Sequence, residues 1–471
     1  MVKRFDYHAF ANSTEETIMT DPKNKEEVRS RAKADGIEFF FAQFVDMHGK
    51  PSAKLVPAER LDMLFDDGAG FAGFAAGPIG QTPASPDIAA IPDPESYTPV
   101  PFKPGLARFA CDITVEGEPW PYCPRTILKN AVSRAEKLGY RLKMGMELEF
   151  FLLKERDGKI VLADDLDTLD LPCYDMRGLT RSYDFITQLS KNINGLGWGN
   201  YANDHEDANG QFEVNFEYDD AVRTADKAIF FRYMVHAMAQ ERGLLTTFMP
   251  KPFSNLTGNG GHLHISLWDP TGTTNLFEDE QDPRGLGLSP LAYQFLGGII
   301  KNMDGLIALL APTVNSYKRM GVGAPTSGAT WAPAYATYGM NNRTQAIRVP
   351  APGRIEIRAT DGAANPYLAA AALLACGIDG IDTNANPGEP NLENLYTLPP
   401  EQIKRKRIKT LPANLLDAVR AAEKCAPLKD WLGSLDGRPY LDYFCEVKRE
   451  EWQEFHSTVS DWELERYLTL V

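Results

Sequence analysis

The chain has 471 residues and a net charge of −15, with 49 Lys and Arg against 64 Asp and Glu. Its composition, 43% hydrophobic and 24% charged with no apolar run long enough to span a bilayer, predicts a soluble globular protein too large for one simple core. The acidic balance disfavours nucleic acid and anionic membrane as partners, and six scattered cysteines without a Cys-x-x-Cys pair disfavour a structural zinc site or a disulfide framework.

Residues 1–24 are polar with no apolar signal core, which predicts a flexible leader and a cytoplasmic protein. Residues 25–35 predict a short amphipathic helix ending at Gly36. An aromatic-rich strand over 37–46, a turn at 47–50 and a returning strand over 52–56 follow, then a helix over 57–65. Residues 66–80 form a loop rich in Gly and Ala, 83–104 are rich in proline, and 106–115 read as another strand. Strand pairs crossed by a helix predict a small α+β unit over 25–118, with the prolines at 119–124 marking its boundary. A larger mixed unit then runs from 119 to 471. Thr126 is expected to cap an amphipathic helix over 127–138.

Residues 143–151 break the expected strand pattern. Met144, Met146, Leu148 and Phe150 make one apolar face, while Glu147 and Glu149 point together from the other, roughly 7 Å apart along the chain. Alone, the segment fits an amphipathic strand with its acidic face in water. Four further stretches change its meaning. Asp204 to Phe216 places Glu206 and Glu213 either side of an Asn-Gly turn. Gly258 to Ser266 puts His262, His264 and Ser266 on one strand face after a flexible backbone. Tyr317-Lys-Arg319 precedes a Gly/Ala/Ser loop, and residues 343–358 gather Arg343, Arg348, Arg354 and Arg358 around Glu356.

Glu147, Glu149, Glu206, Glu213 and Glu356 bring five negative charges, which two or three divalent ions would offset. Oxygen donors with an imidazole suit Mg2+ or Mn2+ rather than Zn2+. Arginines alongside suit phosphate and carboxylate, and the set without a covalent nucleophile suits phosphoryl transfer from a nucleotide. Further on, helices are predicted over 223–242, 290–310 and 365–381, and from 412 to the end, with Trp431, Trp452 and Trp462 as packing anchors.

These motifs resemble the glutamine synthetases over about 25–471. The matching stretches are Met-Glu-Leu-Glu-Phe at 146–150, Gly-Gln-Phe-Glu at 210–213, Gly-Asn-Gly-Gly-His-Leu-His at 258–264 and Tyr-Lys-Arg at 317–319. They continue with Asn-Arg-Thr-Gln-Ala-Ile-Arg-Val-Pro at 342–350, Arg-Ile-Glu-Ile-Arg at 354–358 and Ala-Asn-Pro-Tyr-Leu at 364–368. The look is closest to the third bacterial type, which includes the γ-glutamylmethylamide synthetases. The resemblance implies an α+β fold: a small N-terminal β-grasp domain and a large catalytic domain with a curved antiparallel sheet. It implies stacked rings, decamers or dodecamers, with sites between subunits. It also implies that Glu149, Glu206 and Glu213 hold one metal and Glu147, His262 and Glu356 a second. Arg319 and Arg358 would grip glutamate and the transferred phosphoryl group beside Gly258, and His264, Ser266, Arg343, Arg348 and Arg354 would face ATP. The implied reaction activates glutamate as γ-glutamyl phosphate and couples it to an amine.

Two departures bear on the amine. The stretch matching the ammonium-binding Asp loop is Phe71-Ala-Gly-Phe74, and the loop after Tyr-Lys-Arg, 321–329, carries no acid. A pocket poor in carboxylates favours methylamine over ammonia, which remains the alternative. Asp175 is the candidate proton acceptor for the amine. Tyr396 matches a tyrosine adenylylated in some members, although a tyrosine packed on a proline-rich turn is the preferred reading. A different acid–amine ligase and an inactive homologue are the competing readings, and the second is disfavoured because all six ligand positions are filled.

Overall fold

A computed structural model describes residues 21–320 and 332–470. The fold is mixed α+β, and the described residues form a seven-stranded sheet, a ten-stranded sheet and a small two-stranded one. The first helix, α1 (Lys25–Ala34), is capped by Asn24, whose side chain accepts from Glu27 N. Glu26 and Glu27 sit in its first turn and Arg31 and Lys33 in its last, complementing the helix dipole. Strands β1 (Phe39–Val45) and β2 (Pro51–Pro57) form a hairpin, followed by α2 (Leu61–Asp66). Strands β3 (Ala69–Phe71), β4 (Ile88–Pro92), β5 (Thr98–Pro99), β6 (Leu106–Val115) and β7 (Glu118–Pro119) complete a seven-stranded sheet of order β2-β1-β6-β4-β3, with β5 and β7 also on β6. β1 and β6 run parallel and the other pairs antiparallel. The glycine-rich loop expected over 66–80 is therefore partly sheet, because β3 pairs with β4 inside it. Phe40 and Phe109 meet at 5.2 Å between ring centroids in the core beneath, with Val28 and Leu64 from the two helices.

The chain crosses into the larger unit through α3 (Pro124–Lys137). Cys123 occupies the N-cap and Pro124 the first turn, so Thr126 lies inside the helix, buried, and is not its cap. Arg125 joins the units. Its guanidinium bonds both oxygens of Asp226 at 3.0 Å and Asp112 and Asp93 at 2.8 Å, while Tyr367 donates to Asp226 at 2.6 Å.

The large sheet is built on β8 (Arg141–Arg156), 16 residues long. Its companions in chain order are β9 (Lys159–Leu162), β10 (Asn200–His205), β11 (Gln211–Phe216), β12 (Asp219–Asp220), β13 (Leu245–Thr247), β14 (Gly261–Trp268), β15 (Tyr338–Met340), β16 (Ile347–Ala351) and β17 (Arg354–Ile357). The order is β10-β11-β8-β14-β17-β16-β15, with β9, β12 and β13 also on β8. Every pair is antiparallel except β15 with β16. The even-numbered residues Leu142 to Phe150 are buried, as the alternating pattern requires. They share one core with α5 (Tyr183–Gly195), which follows the short α4 (Met176–Arg181), and with α6 (Ala221–Gln240).

Two apolar helices back that core: α7 (Pro290–Leu310) and, after the short α8 (Ser316–Arg319), α9 (Pro366–Asp382). Gly298 and Gly380 let them touch backbone to backbone; a Cβ on Gly298 would fall 2.1 Å from Cys376 O. The chain ends in α10 (Pro400–Arg405), α11 (Leu415–Ala422), α12 (Ala426–Trp431), α13 (Tyr440–Ser457) and α14 (Asp461–Tyr467). Trp431 and Trp452 pack against the core, but Trp462 on α14 is exposed and meets only Tyr467 and Arg466 of its own helix among the ring contacts of the described residues. Among the described residues no helix is long and apolar enough to cross a membrane.

Candidate active site

Strand register assembles the site. Across β10, β11 and β8, Asp204 lies opposite Glu213 and Glu213 opposite Glu149. Across β8 and β14, Glu147 lies opposite His262, and across β14, β17 and β16, His264 faces Glu356 and Glu356 faces Arg348. Directly opposed residues on one face bring their Cβ atoms to about 5 Å, so five strands present an almost continuous row of carboxylates and imidazoles.

Three overlapping groups have ligand atoms within 4.8 Å of one another: Asp204, Glu206 and Glu213; Glu147, Glu213 and His262; and Glu147, His264 and Glu356. The carboxylates crowd at a cost. Burial pushes Glu206 well above the usual carboxylate range, and the charges of Glu149, Asp204 and Asp207 push the same way. Burial raises Glu213 likewise, reinforced by Glu147, Glu206 and Glu149. Like charges held out of water in this way call for a cation, and an oxygen-rich set with imidazole fits a hard divalent ion.

The grouping differs from the expected one at two places. Glu149 engages the backbone with one oxygen, Oε2, which accepts from Gly260 N at 2.7 Å and from Gln211 Nε2 at 3.1 Å, while its Oε1 stays in the cluster 3.9 Å from His262 Nε2. Asp204, quoted in the motif but given no role, stands in the acidic group instead. His264, expected to face ATP, has Nε2 only 2.9 Å from Glu147 Oε1, an ion-pair distance without hydrogen-bond alignment.

Glu356 is fully buried between arginines, accepting from Arg358 at 2.6 Å and from Arg348. Burial alone would raise its pKa, but Arg358, His264, His262 and Arg348 outweigh burial and bring it to about 2. Burial and the nearby Arg358 charge lower His262, which keeps its ring neutral and able to bind a cation. Arg319 is buried, bonds Arg358 O at 3.3 Å through Nη2, and among the described residues has no hydrogen-bond partner at Nη1. Its side chain passes Gly258, where a Cβ would sit 3.1 Å from Arg319 Cγ and 2.1 Å from Pro250 O. Arg343 and Arg354 are exposed, within electrostatic reach of Tyr174 and Tyr201 respectively.

Asp175 stands apart from the acidic row. Its carboxylate caps α4 by accepting from Gly178 N at 3.0 Å, and it pairs with Arg177 at 3.1 Å. Burial would raise its pKa, yet those bonds hold it below the ordinary value, which makes it a weak proton acceptor. The residues just before it are the ones that feel the cluster: the acids Glu206, Asp207 and Asp204 add to the burial that lifts the Cys173 thiol to about 12, and Glu206 lies within reach of the Tyr174 phenol. Tyr174 holds a left-handed backbone, φ 63°, and no sequence signal marked it beyond its place beside Asp175.

Beyond Ser266 the same face ends in an aromatic patch the sequence did not single out. Trp268 Nε1 donates to Ser266 Oγ at 2.9 Å, Tyr218 stacks on Trp268 at 6.5 Å, and Lys143 Nζ lies 3.9 Å from the Trp268 ring centroid. Tyr396 donates to Ala332 O at 2.9 Å and lies within electrostatic reach of Arg358 and Arg319. The acid-free loop 321–329 and the expected leader over 1–20 lie outside the described residues.

Comparison with known proteins agrees with this geometry. Residues 121–467 match the family model "Glutamine synthetase, catalytic domain". A glutamate–methylamine ligase of Methyloversatilis universalis is 45% identical, covering 94% of this chain and 98% of its own. A glutamine synthetase of Rhizobium leguminosarum bv. phaseoli is also 45% identical, over 93% of this chain and 98% of its own. A solved structure described as a GmaS/ADP complex, conformation 1, superposes with a TM-score of 0.87 at 47% identity, covering 94% of this chain and 99% of that one.

Proposed function

The chain belongs to the glutamine synthetase family, and from that premise we propose that it is an ATP-dependent glutamate–methylamine ligase. The observation that carries the ligase reading is the row running from Asp204 to Glu356, closed at one end by buried Arg319 and Arg358. The Arg319 Nη1, buried beside the acidic row and without an acceptor among the described residues, suits a carboxylate or phosphoryl oxygen.

The three residue groups fit Mg2+ or Mn2+, two or three per site. Bound there, the ions would neutralise charge on the nucleotide phosphates and the glutamate γ-carboxylate. Arg319 and Arg358 hold glutamate and the transferred phosphoryl group, and Arg348 keeps Glu356 in place. Tyr218 and Trp268 offer aromatic faces for the nucleobase beside Ser266, and Arg343 and Arg354 offer charge for the nucleotide phosphates. The γ-carboxylate oxygen attacks the terminal phosphorus of ATP and ADP leaves. The amine nitrogen then attacks the acyl carbon of γ-glutamyl phosphate, phosphate departs and the nitrogen loses a proton. The geometry calls for electrostatic stabilisation and orientation, with no covalent protein nucleophile.

Methylamine is preferred because residues 71–74 bring no carboxylate: Phe71 packs edge-on against Phe44 at 4.9 Å, and Phe74 is exposed. A glutamine synthetase using ammonia is the alternative, since relatives of both names match equally well. Phosphate release with methylamine and with ammonia at matched free-base concentration decides between them; a clear preference for ammonia overturns the methylamine reading. The assembly is read as stacked rings. Leu166, Leu171, Met176 and Tyr183 in one stretch, and Trp462 and Leu468 near the C-terminus, are exposed as a lone chain would rarely leave them. Light scattering giving a monomer in solution would end that reading.

A further inference from the structure

His205 and Asp167 form a fully buried pair that the reaction above does not use. His205 Nε2 lies 2.7 Å from Asp167 Oδ2, and Nδ1 lies 2.9 Å from Glu206 O. A carboxylate and a carbonyl can only accept, so both ring nitrogens donate. The two side chains are 0% and 1% exposed. The same Asp167 reaches the turn between Glu206 and Glu213: Asn209 Nδ2 donates to Oδ1 at 3.0 Å and Gly210 N to Oδ2 at 2.6 Å. One carboxylate, from the loop after β9, thus grips the hairpin at the end of β10 and at its turn. The grip extends outward. Tyr174 N donates to His205 O at 2.8 Å, and Gln211, next after Gly210, donates to Glu149 at 3.1 Å. Gly178 leaves the room: a Cβ there would meet the His205 ring at 2.4 Å.

A buried ion pair is a poor source of stability, since desolvation offsets its attraction, and such pairs are kept where placement matters. Glu206 and Glu213 repel one another and have no reason of their own to converge. We infer that Asp167, acting through His205 and the Asn209–Gly210 turn, is a positioning residue that holds Glu206 and Glu213 at the spacing one divalent ion requires. The inference rests on the reading that these two glutamates bind such an ion. Its consequence is selective: the Asp204/Glu206/Glu213 site loosens without Asp167, whereas the Glu147/His264/Glu356 site, whose ligands neither Asp167 nor the Asn209–Gly210 turn bonds directly, keeps its affinity.

The test is Mn2+ binding to the intact enzyme without substrates, followed by electron paramagnetic resonance of the free ion. Asp167→Asn removes the charge at constant size. It is expected to weaken one class of site by about 10- to 100-fold, the usual effect of losing an outer partner of a ligand, with the other class unchanged. Asn209→Ser, which removes the Nδ2 bonds to Asp167 and to Leu169 O and keeps the ion pair, is expected to weaken the same class less. It carries the test if Asp167→Asn does not assemble. Wild-type Mn2+ isotherms in the variants that assemble, or equal weakening of both classes, would overturn the inference. Mn2+ binding left at the wild-type level by Glu206→Gln together with Glu213→Gln would instead overturn the metal reading beneath it.

Discussion

Arg358 Nη1 donates to Glu356 Oε1 at 2.6 Å from only two residues along the chain, with Arg348 on the other oxygen. Glu356 is therefore both a candidate ligand and the counter-charge of two arginines. Glu356→Ala would leave these arginines buried without their carboxylate, a change that costs about 3–5 kcal/mol in buried pairs. The informative variant is Glu356→Gln, which keeps the shape and removes the charge. It should lower turnover by at least 100-fold with the assembly retained, measured by phosphate release and light scattering. Near-wild-type turnover in Glu356→Gln would remove Glu356 from the reaction.

Asp361 predicts a pH effect on stability. It is fully buried, bonded by Ala363 N at 2.9 Å, and burial raises its pKa to about 6 although the Arg319 charge pulls the other way. The unfolded value is 3.8, so the native state holds the proton more tightly. Its contribution to stability is full below that value and is lost as pH rises through about 6, on the order of 2–3 kcal/mol. Asp361→Asn should gain on the wild type between pH 4 and pH 7, read as the difference in urea midpoints. Parallel midpoints across that range would mean the carboxyl is not held protonated.

The contrast between what these residues announce and what they do follows from physics. Alternation along β8 made Glu147 and Glu149 visible as a pair, and the i, i+2 spacing did the same for His262 and His264. Register between strands leaves no such trace. It depends on turns and partners far away, so the place of Asp204 opposite Glu213, and the turning of Glu149 toward Gly260, emerge only in three dimensions. Asp175 was legible as an acid near the motifs, but an aspartate just before a helix is as readily an N-cap. Asp167 sits in a loop with no pattern at all. The helices α7 and α9 were legible to within a residue because their apolar runs are long and their starts carry Pro290 and Pro366.

The Arg125 hub should govern how firmly the small sheet sits on the large unit. Asp93 and Asp112 come from the first unit and Asp226 from α6, and all three share one guanidinium that is 4% exposed. Arg125→Ala leaves buried Asp226 without its cation and Asp93 and Asp112 with Lys129 alone. A loss of about 3–5 kcal/mol is expected, visible as a lower urea midpoint. Faster hydrogen exchange should then concentrate in β4, β6 and the start of α6. Arg125→Lys restores charge but not the fork that serves three acids, and should recover less than half the loss.

If the stretch 173–178 borders the amine, as the reading of Asp175 supposes, Tyr174 should matter for the amine more than for ATP. Its phenol lies within reach of Glu206 and Arg343, its backbone is held left-handed at φ 63°, and its amide bonds His205 O at 2.8 Å. A bulky residue is rarely kept in that conformation without surrounding contacts that enforce it, and such strain gathers at functional sites. Tyr174→Phe keeps ring and backbone and removes only the hydroxyl. It is expected to raise KM for the amine several-fold while KM for ATP stays within about twofold, since one lost hydrogen bond amounts to about 1 kcal/mol. Tyr174→Gly relieves the backbone and deletes the ring, and should raise amine KM further without affecting the Mn2+ site at Glu147, His264 and Glu356. Equal changes in the amine and ATP constants for Tyr174→Phe would place the tyrosine outside the amine pocket.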